Sequence, residues 1–321
     1  MFAVTATQTD PDDPLKGLTL GEHPEPVAVP EGWTTVTVRA AALNHHDLWT
    51  LKGVGISQER LPIVLGCDAA GVDEDGNEVI VHSVIGTPVD GDETLDPARS
   101  LLSEKYDGTF AEKVAVSRRN LVPKPAAISF EEAACLPTAW LTAYRMIFDK
   151  AGLEPGSTIL VQGAGGGVAT ALIALGRAGG FRVWATSRSQ DKRERALALG
   201  ADRVFETGAR LPERVDAVME TVGEATWKHS LSSLRPGGRI VTCGATSGMV
   251  APTQLAQVYF LQKSIIGSTM GTREQLARLA VFLEQTGVRP AIDRVLPLAE
   301  AEEGFAAMHR GEVFGKVVFT I

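Results

Sequence analysis

The chain is predicted to be an α/β protein: a doubly wound parallel sheet preceded by a β-rich domain. Three observations predict it. A short apolar run, Ile159 to Val161, is followed by a glycine cluster at Gly163, Gly165, Gly166 and Gly167. The apolar, Ala/Leu-rich stretch Val168 to Leu175 and a second apolar run, Phe181 to Ala185, come next. This is strand, tight turn, helix, strand, of the length of a dinucleotide-binding unit. Further along, short apolar runs keep alternating with helical stretches, as a parallel sheet requires. Before it, residues 1 to about 122 are rich in Pro, Gly, Val and Thr and hold only short alternating runs.

In that first part Trp33 to Ala41 alternates like a half-buried strand, and Glu78 to Val84 and Phe110 to Val116 do the same. Asp73, Asp75, Gly76 and Asn77 form a turn. The polar stretch between Gly86 and Asp107 is a loop, and its acids Asp90, Asp92, Glu93 and Asp96 are most simply solvated. After Pro123-Lys-Pro125, Ser129 and Glu132 make a capping box for a helix running towards Lys150. In the second part, strands are expected at Asp216–Met219, Arg239–Thr242 and Ser264–Gly267. Helices are expected at Lys192–Leu199, Ala225–Leu234 and Leu255–Leu261. A helix from Arg273 to Gln285 and a strand from Lys316 to Ile321 close the chain.

Glycines let a backbone approach a pyrophosphate, and the N-terminus of the following helix, at Gly167 and Val168, offers N–H groups and partial positive charge. Ala169 stands where a last glycine is often found. An Asp or Glu at the end of the second strand would bind a ribose 2′-hydroxyl. The chain has Thr186, Ser187, Arg188 and Ser189 there, then Lys192 and Arg193. Hydroxyls and a guanidinium suit a 2′-phosphate, so the expected cofactor is NADP(H). Asp191 could serve a ribose instead.

At 321 residues the chain can fill two cores. Apolar residues make up 44% and charged residues 22%, with a net charge of −8. That balance gives no reason to expect nucleic acid or an anionic membrane as partner. Cys67, Cys135 and Cys243 are too few and too scattered for a disulfide framework and fit a reducing cytoplasm. No signal peptide is expected at the N-terminus, and no apolar run is long enough to span a membrane.

Six stretches together resemble the medium-chain dehydrogenase/reductase superfamily. They are A-L-N-H-H-D-L-W at 42–49, P-I-V-L-G-C-D-A-A-G-V at 62–72, L-P-T-A-W-L-T-A-Y at 136–144, the glycine loop, L-R-P-G-G-R-I-V-T-C-G at 234–244 and F-G-K-V-V at 314–318. The resemblance implies a GroES-like catalytic domain from residues 1–124 and 270–321 around a Rossmann NADP(H)-binding domain, residues 125–269, with a six-stranded sheet. It implies hydride transfer at nicotinamide C4, an active site between the domains, and a homodimer paired through Ser264–Gly267. Thr142, Gly244, Ser268 and Met270 would flank the nicotinamide.

The superfamily's zinc ligand positions fall here on Asn44, Cys67–Asp68 and Thr138. Asn and Thr are poor zinc ligands, and no cysteine lies between Cys67 and Cys135 to hold a structural zinc. The resemblance is therefore to the zinc-free quinone oxidoreductase-like branch, acting on a quinone or an α,β-unsaturated carbonyl, with no metal. Asn44 is expected to donate its amide N–H to the acceptor carbonyl, and His46 to deliver a proton. Asp47 is expected to orient its neighbours or cap the helix, and Cys67 to be an inert thiol. A zinc site drawn from His46, Cys67 and Asp68 stays open, with a zinc alcohol dehydrogenase as alternative. So does an NADPH-binding sensor with little turnover. The tyrosine typical of some enoyl thioester reductases is not found after Gly53.

Overall fold

The computed structural model describes residues 1–26 and 29–321. Two compact units emerge. The first joins Met1–Ala139, Met270–Gln285 and Ile292–Ile321; the second joins Trp140–Thr269 and Thr286–Ala291. The first boundary falls later than residue 124. Ser129 caps the helix Phe130–Ala134, receiving Glu132 N–H on its Oγ while Glu132 bonds back to Ser129 N–H. That helix packs on the strands Trp33–Ala42 and Asp68–Asp73, which draws it into the first unit.

The first unit is GroES-like. Its main sheet places the strands in the order Leu121–Pro123, Glu78–Val81, Asp68–Asp73, Trp33–Ala42, Lys316–Thr320 and Ile292–Pro297, with Lys113–Ser117 also pairing with Trp33–Ala42. The last strand of the chain thus lies beside one of its first: Val318 is opposite Ala42, and Ala42 is opposite Asp68. Phe110, Phe305 and Phe319 fill the core, with Phe110 edge-on to both others at 6.0 and 5.2 Å between ring centres. A bulge at Val38/Ala40 bends the central strand, and there Gly71 lies so close that a Cβ would stand 2.2 Å from Thr37 O.

The second unit is a Rossmann sheet of six parallel strands. Their order is Arg203–Phe205, Arg182–Thr186, Thr158–Val161, Val215–Glu220, Leu234–Thr242, Ser264–Gly267. The order reverses beside Thr158–Val161, which puts a ligand crevice at the carboxyl end of that strand. Leu234–Thr242 begins five residues earlier than expected, because the Pro236-Gly237-Gly238 turn is absorbed in a bulge between two paired stretches. Arg203–Phe205 is too short for periodicity to reveal. The expected helix towards Lys150 is present but wider wound, with π-turns at Leu136–Trp140 and Met146–Lys150 around an α-turn at Leu141–Arg145. No helix among the described residues is long and apolar enough to cross a membrane.

Gly71→Ala is expected to lower stability by about 1–3 kcal/mol, the usual cost of overpacking. Urea unfolding of the full chain followed by tryptophan fluorescence measures it.

Candidate active site

In the first unit, three neighbouring strands end together and bring Asn44, Asp68 and Lys316 into one buried cluster. Asn44 follows the central strand as the N-cap of the helix His45–Leu51, Asp68 opens the next strand, and Lys316 opens the strand Lys316–Thr320. Lys316 Nζ donates to Leu43 O at 2.8 Å, Asn44 Oδ1 at 2.6 Å and Asp68 Oδ2 at 3.2 Å. Asn44 Nδ2 donates to Asp68 Oδ2 at 2.9 Å and Ala42 O at 3.2 Å. An ammonium can face only an acceptor and a carboxylate only a donor, so the amide has one orientation. Thr138 Oγ1 and Ser83 Oγ donate to the other Asp68 oxygen. Burial pushes the Asp68 carboxyl up, opposed by Lys316, Asn44 and Thr138.

This geometry revises the role expected for Asn44. Both of its N–H groups are spent inside the protein, so neither is left for an acceptor carbonyl. Lys316, one of the largest fully buried side chains, has no local sequence signal beyond its place in F-G-K-V-V; its partner Asp68 lies 248 residues away.

Beside the cluster, the helix His45–Leu51 presents His46 and Asp47. Asp47 sits at the third position of this helix, with Asn44 as the N-cap. Its Oδ2 accepts Asn44 N–H at 2.8 Å, closing the helix start, and its Oδ1 accepts Gly66 N–H at 3.1 Å, fixing the turn before Cys67. His46 Nε2 meets Glu104 Oε1 at 3.2 Å, while His46 Nδ1 is buried, 3.9 Å from Asp47 Oδ1 and without a hydrogen-bond partner among the described residues. Burial works against the imidazolium, but Asp47, Cys67 and Glu104 outweigh it and hold the His46 pKa well above its usual value. Cys67 is fully buried, and burial followed by the Asp47 charge pushes its thiol up. Cys135 and Cys243 are pushed up to about 12, mainly by burial.

Ligand atoms of His46, Asp47 and Cys67 lie within 4.8 Å of one another, the only such grouping among the described residues. Both Asp47 oxygens already accept backbone N–H groups, and at the superfamily's ligand positions Asn44 and Thr138 are bonded to Asp68.

Glu93 departs from the expectation of a solvated acid. It is 2% exposed, 3.0 Å from the buried His82 ring, and accepts Arg273 N–H at 2.7 Å. The segment 86–107 also contains a short strand, Ser100–Leu101, paired with Val84–Ile85.

In the second unit the glycine loop has the conformation its residues predict. Gly163 and Gly165 have φ of 74° and 144°, and a Cβ on Gly163 would stand 2.6 Å from Val222 Cγ2. The helix Gly167–Ala178 starts from Gly166, so no side chain caps it, and a Cβ on Gly166 would meet open space. Gln162 and Thr186 support the loop from below: Thr186 Oγ1 donates to Gln162 Oε1 at 2.6 Å, and Gln162 Nε2 reaches Ser230, which donates to the buried Glu220. None of this polar layer was expected from the sequence. Lys192 lies over the loop, 2.8 Å (Cδ) from where a Gly165 Cβ would be. Ser187 Oγ accepts Ser189 N–H, Arg193 Nη1 holds Ser187 O at 2.7 Å, and Arg188 is exposed. Thr142 is buried on its helix. Gly244 follows Leu234–Thr242, and Ser268 has a buried hydroxyl without a partner among the described residues. Met270 belongs to the first unit, with φ 49°.

Residues 30–126 match the model of the alcohol dehydrogenase GroES-like domain, and residues 167–285 that of the zinc-binding dehydrogenases. Acryloyl-coenzyme A reductase of Metallosphaera sedula is 32% identical over 93% of this chain and 94% of its own. The chain belongs to the medium-chain dehydrogenase/reductase superfamily. Within that superfamily it is also similar to 2-methylene-furan-3-one reductase of Solanum lycopersicum, 33% identical over 91% of this chain and 73% of that protein. A crystal structure of an NAD-dependent alcohol dehydrogenase superposes with a TM-score of 0.91 at 36% identity, covering 100% of both chains. Membership makes the protein an oxidoreductase.

Lys316→Met leaves Asp68 buried without its cation and is expected to cost about 3–5 kcal/mol. The pair Lys316→Met with Asp68→Asn should recover most of that loss. A double-mutant cycle by urea unfolding measures the coupling.

Proposed function

We propose that the protein is an NADPH-dependent reductase of α,β-unsaturated carbonyls or quinones that works without zinc. One observation carries the metal-free part: at the superfamily's metal position, an ammonium already faces the carboxylate. Lys316 sits on Asp68, with Asn44 and Thr138 completing the shell. A second cation there would meet Lys316, and Asn44 and Thr138 offer only neutral oxygen donors, which zinc takes poorly. Ligand atoms of the nearby His46, Asp47 and Cys67 lie within 4.8 Å of one another, with both Asp47 oxygens already holding backbone N–H groups.

The nicotinamide cofactor does fit. The uncapped helix start, the open space at Gly166 and the orphan Ser268 hydroxyl are places for a ligand to supply what the protein leaves unpaired. Ser187, Arg188 and Lys192 favour the 2′-phosphorylated form. When bound, NADPH supplies a hydride; the acceptor takes it at the β-carbon, or on the quinone, and needs one proton to finish. His46 is the group suited to give that proton, since Asp47, Cys67 and Glu104 favour its protonated form. Its Nε2 faces Glu104 Oε1 at 3.2 Å. The similarity to an acryloyl-coenzyme A reductase and a 2-methylene-furan-3-one reductase supports the unsaturated-carbonyl class.

The strand Ser264–Gly267 ends the Rossmann sheet with one edge unpaired among the described residues. Exposed around it in sequence are Met249, Val250, Leu255, Tyr259, Phe260 and Ile265. Both features support a homodimer formed through this edge.

NADPH oxidation by an ortho-quinone and by an enone, before and after exhaustive chelation, tests the central reading. Activity should survive chelation; loss restored by zinc would overturn it. Arg188→Ala should raise the KM for NADPH about tenfold, the worth of one charge-assisted bond, and leave that for NADH unchanged. His46→Gln should lower kcat about 100-fold with cofactor affinity intact.

A further inference from the structure

His229 joins two loops of the second unit. It sits half-buried on the helix Glu224–Ser233. Its Nε2 faces Ala209 O at 2.9 Å, and its Nδ1 faces Gln162 Nε2, also at 2.9 Å. Ala209 lies in the loop that follows Arg203–Phe205, the edge strand beside Arg182–Thr186. Gln162 is fully buried and directly precedes the glycine loop.

Donor and acceptor chemistry fixes the direction of every bond here. A carbonyl oxygen only accepts, so His229 Nε2 carries the ring proton and Nδ1 is the acceptor. The amino group of Gln162 must therefore face His229. A second contact demands the same orientation. Ser230 spends its hydroxyl proton on Glu220 Oε2, so it offers Gln162 only a lone pair, and it accepts from Gln162 Nε2 at 2.9 Å. Turned over, the amide would set Oε1 against two lone pairs. With the amino group committed, Oε1 can face only a donor, and Thr186 Oγ1 donates to it at 2.6 Å. Thr186 then keeps its lone pairs for the glycine loop. Gly163 N–H points at its Oγ1 at 3.4 Å, and Ala164 N–H bonds its carbonyl at 2.7 Å. The bonds run one way, from Gly163 N–H through Thr186, Gln162 and His229 to Ala209 O. Hydrogen bonds in such a chain polarise and strengthen one another.

We infer that His229 is a positioning residue of the dinucleotide site, acting through Gln162. This rests on the cofactor reading. Ligands of such a sheet bind at the carboxyl ends of its strands. Both ends of the chain of bonds lie there: the glycine loop follows Thr158–Val161, and Ala209 follows Arg203–Phe205. Between them stands Ser187, whose N–H is held by Phe205 O at 3.1 Å. A pyrophosphate on the glycine loop and an adenosine ribose at Ser187 and Arg188 span the two loops that His229 joins. The histidine sets both at once. It orients the amide that fixes the first peptides of the glycine loop, and it holds the loop of Ala209 at a constant distance from them.

The test uses the full chain with NADPH as the probe. His229→Phe keeps a ring in place and removes both bonds. The Kd for NADPH, read from its fluorescence, should rise about tenfold, the effect of one lost hydrogen bond whose buried donor stays unpaired. At saturating NADPH kcat should stay unchanged. In His229→Asn, Oδ1 replaces Nδ1 as acceptor for Gln162, so most of the affinity should return. A second readout needs no cofactor. In NMR spectra of the wild-type chain in mildly alkaline buffer, His229 should show Nε2–H with a bare Nδ1, and the Gln162 side-chain amide should be protected from solvent exchange. That protection should fall in His229→Phe. Equal NADPH affinity of the wild type and His229→Phe would overturn the inference, as would a ring whose proton sits on Nδ1. A loss of kcat with unchanged Kd would overturn it too. Binding of neither NADPH nor NADH by the wild-type chain is a different result: it removes the cofactor reading, and the inference with it.

Discussion

The buried contact of Lys316 with Asp68 is the interaction on which the rest of the first unit's chemistry depends. A carboxylate removed from water needs a cation and hydrogen-bond donors, or it takes up a proton. Asp68 receives an ammonium, an amide and two hydroxyls. Once that arrangement is set, Asn44 has no donor to spare, its backbone N–H is tied to Asp47, and Asp47 in turn fixes the turn at Gly66 that buries Cys67. His46 is left as the one titratable side chain of the cluster with an edge towards solvent.

The second unit meets a different constraint. A phosphate site needs backbone N–H groups that nothing else has claimed, yet the loop that offers them must not collapse. Glycines keep side chains out of the way, and a polar layer of Gln162, Thr186, Ser230 and Glu220 holds the loop from the sheet side. Glu220 is itself satisfied by Val222 and Gly223 N–H and by the Thr226 hydroxyl. Rigidity comes from below and openness is kept above, which is the division of labour that preorganised sites require.

How much of this could be read in the sequence depended on the range of the interaction. Local periodicity located the strand Ser264–Gly267 and the capping box at Ser129, because both are decided by residues within a few positions. The glycine loop was legible for the same reason. Lys316 was not, since nothing near it indicates a partner 248 residues back; only the pairing of the last strand with Trp33–Ala42 brings them together. Glu93 looked like one solvated acid among several in a polar loop, and Glu104, in the same stretch, did not stand out at all. What distinguishes them is a tertiary contact with a histidine, and composition carries no trace of that. Asn44 was found, but its role depended on Lys316, so missing one residue misassigned the other.

The C-terminal strand has a consequence for how the molecule is made. Synthesis runs from the N-terminal side, so Lys316 emerges 248 residues after Asp68. Until the strand Lys316–Thr320 emerges, the sheet of the first unit lacks an interior strand, and Asp68 and Asn44 have no Lys316 to gather around. The Rossmann segment, continuous from Trp140 to Thr269 apart from a short return, is complete well before that. The nascent protein therefore has a finished Rossmann unit while its GroES-like unit is still waiting. A ribosome that stops before Lys316 yields a chain that has all of its glycine loop and an Asp68 without its cation.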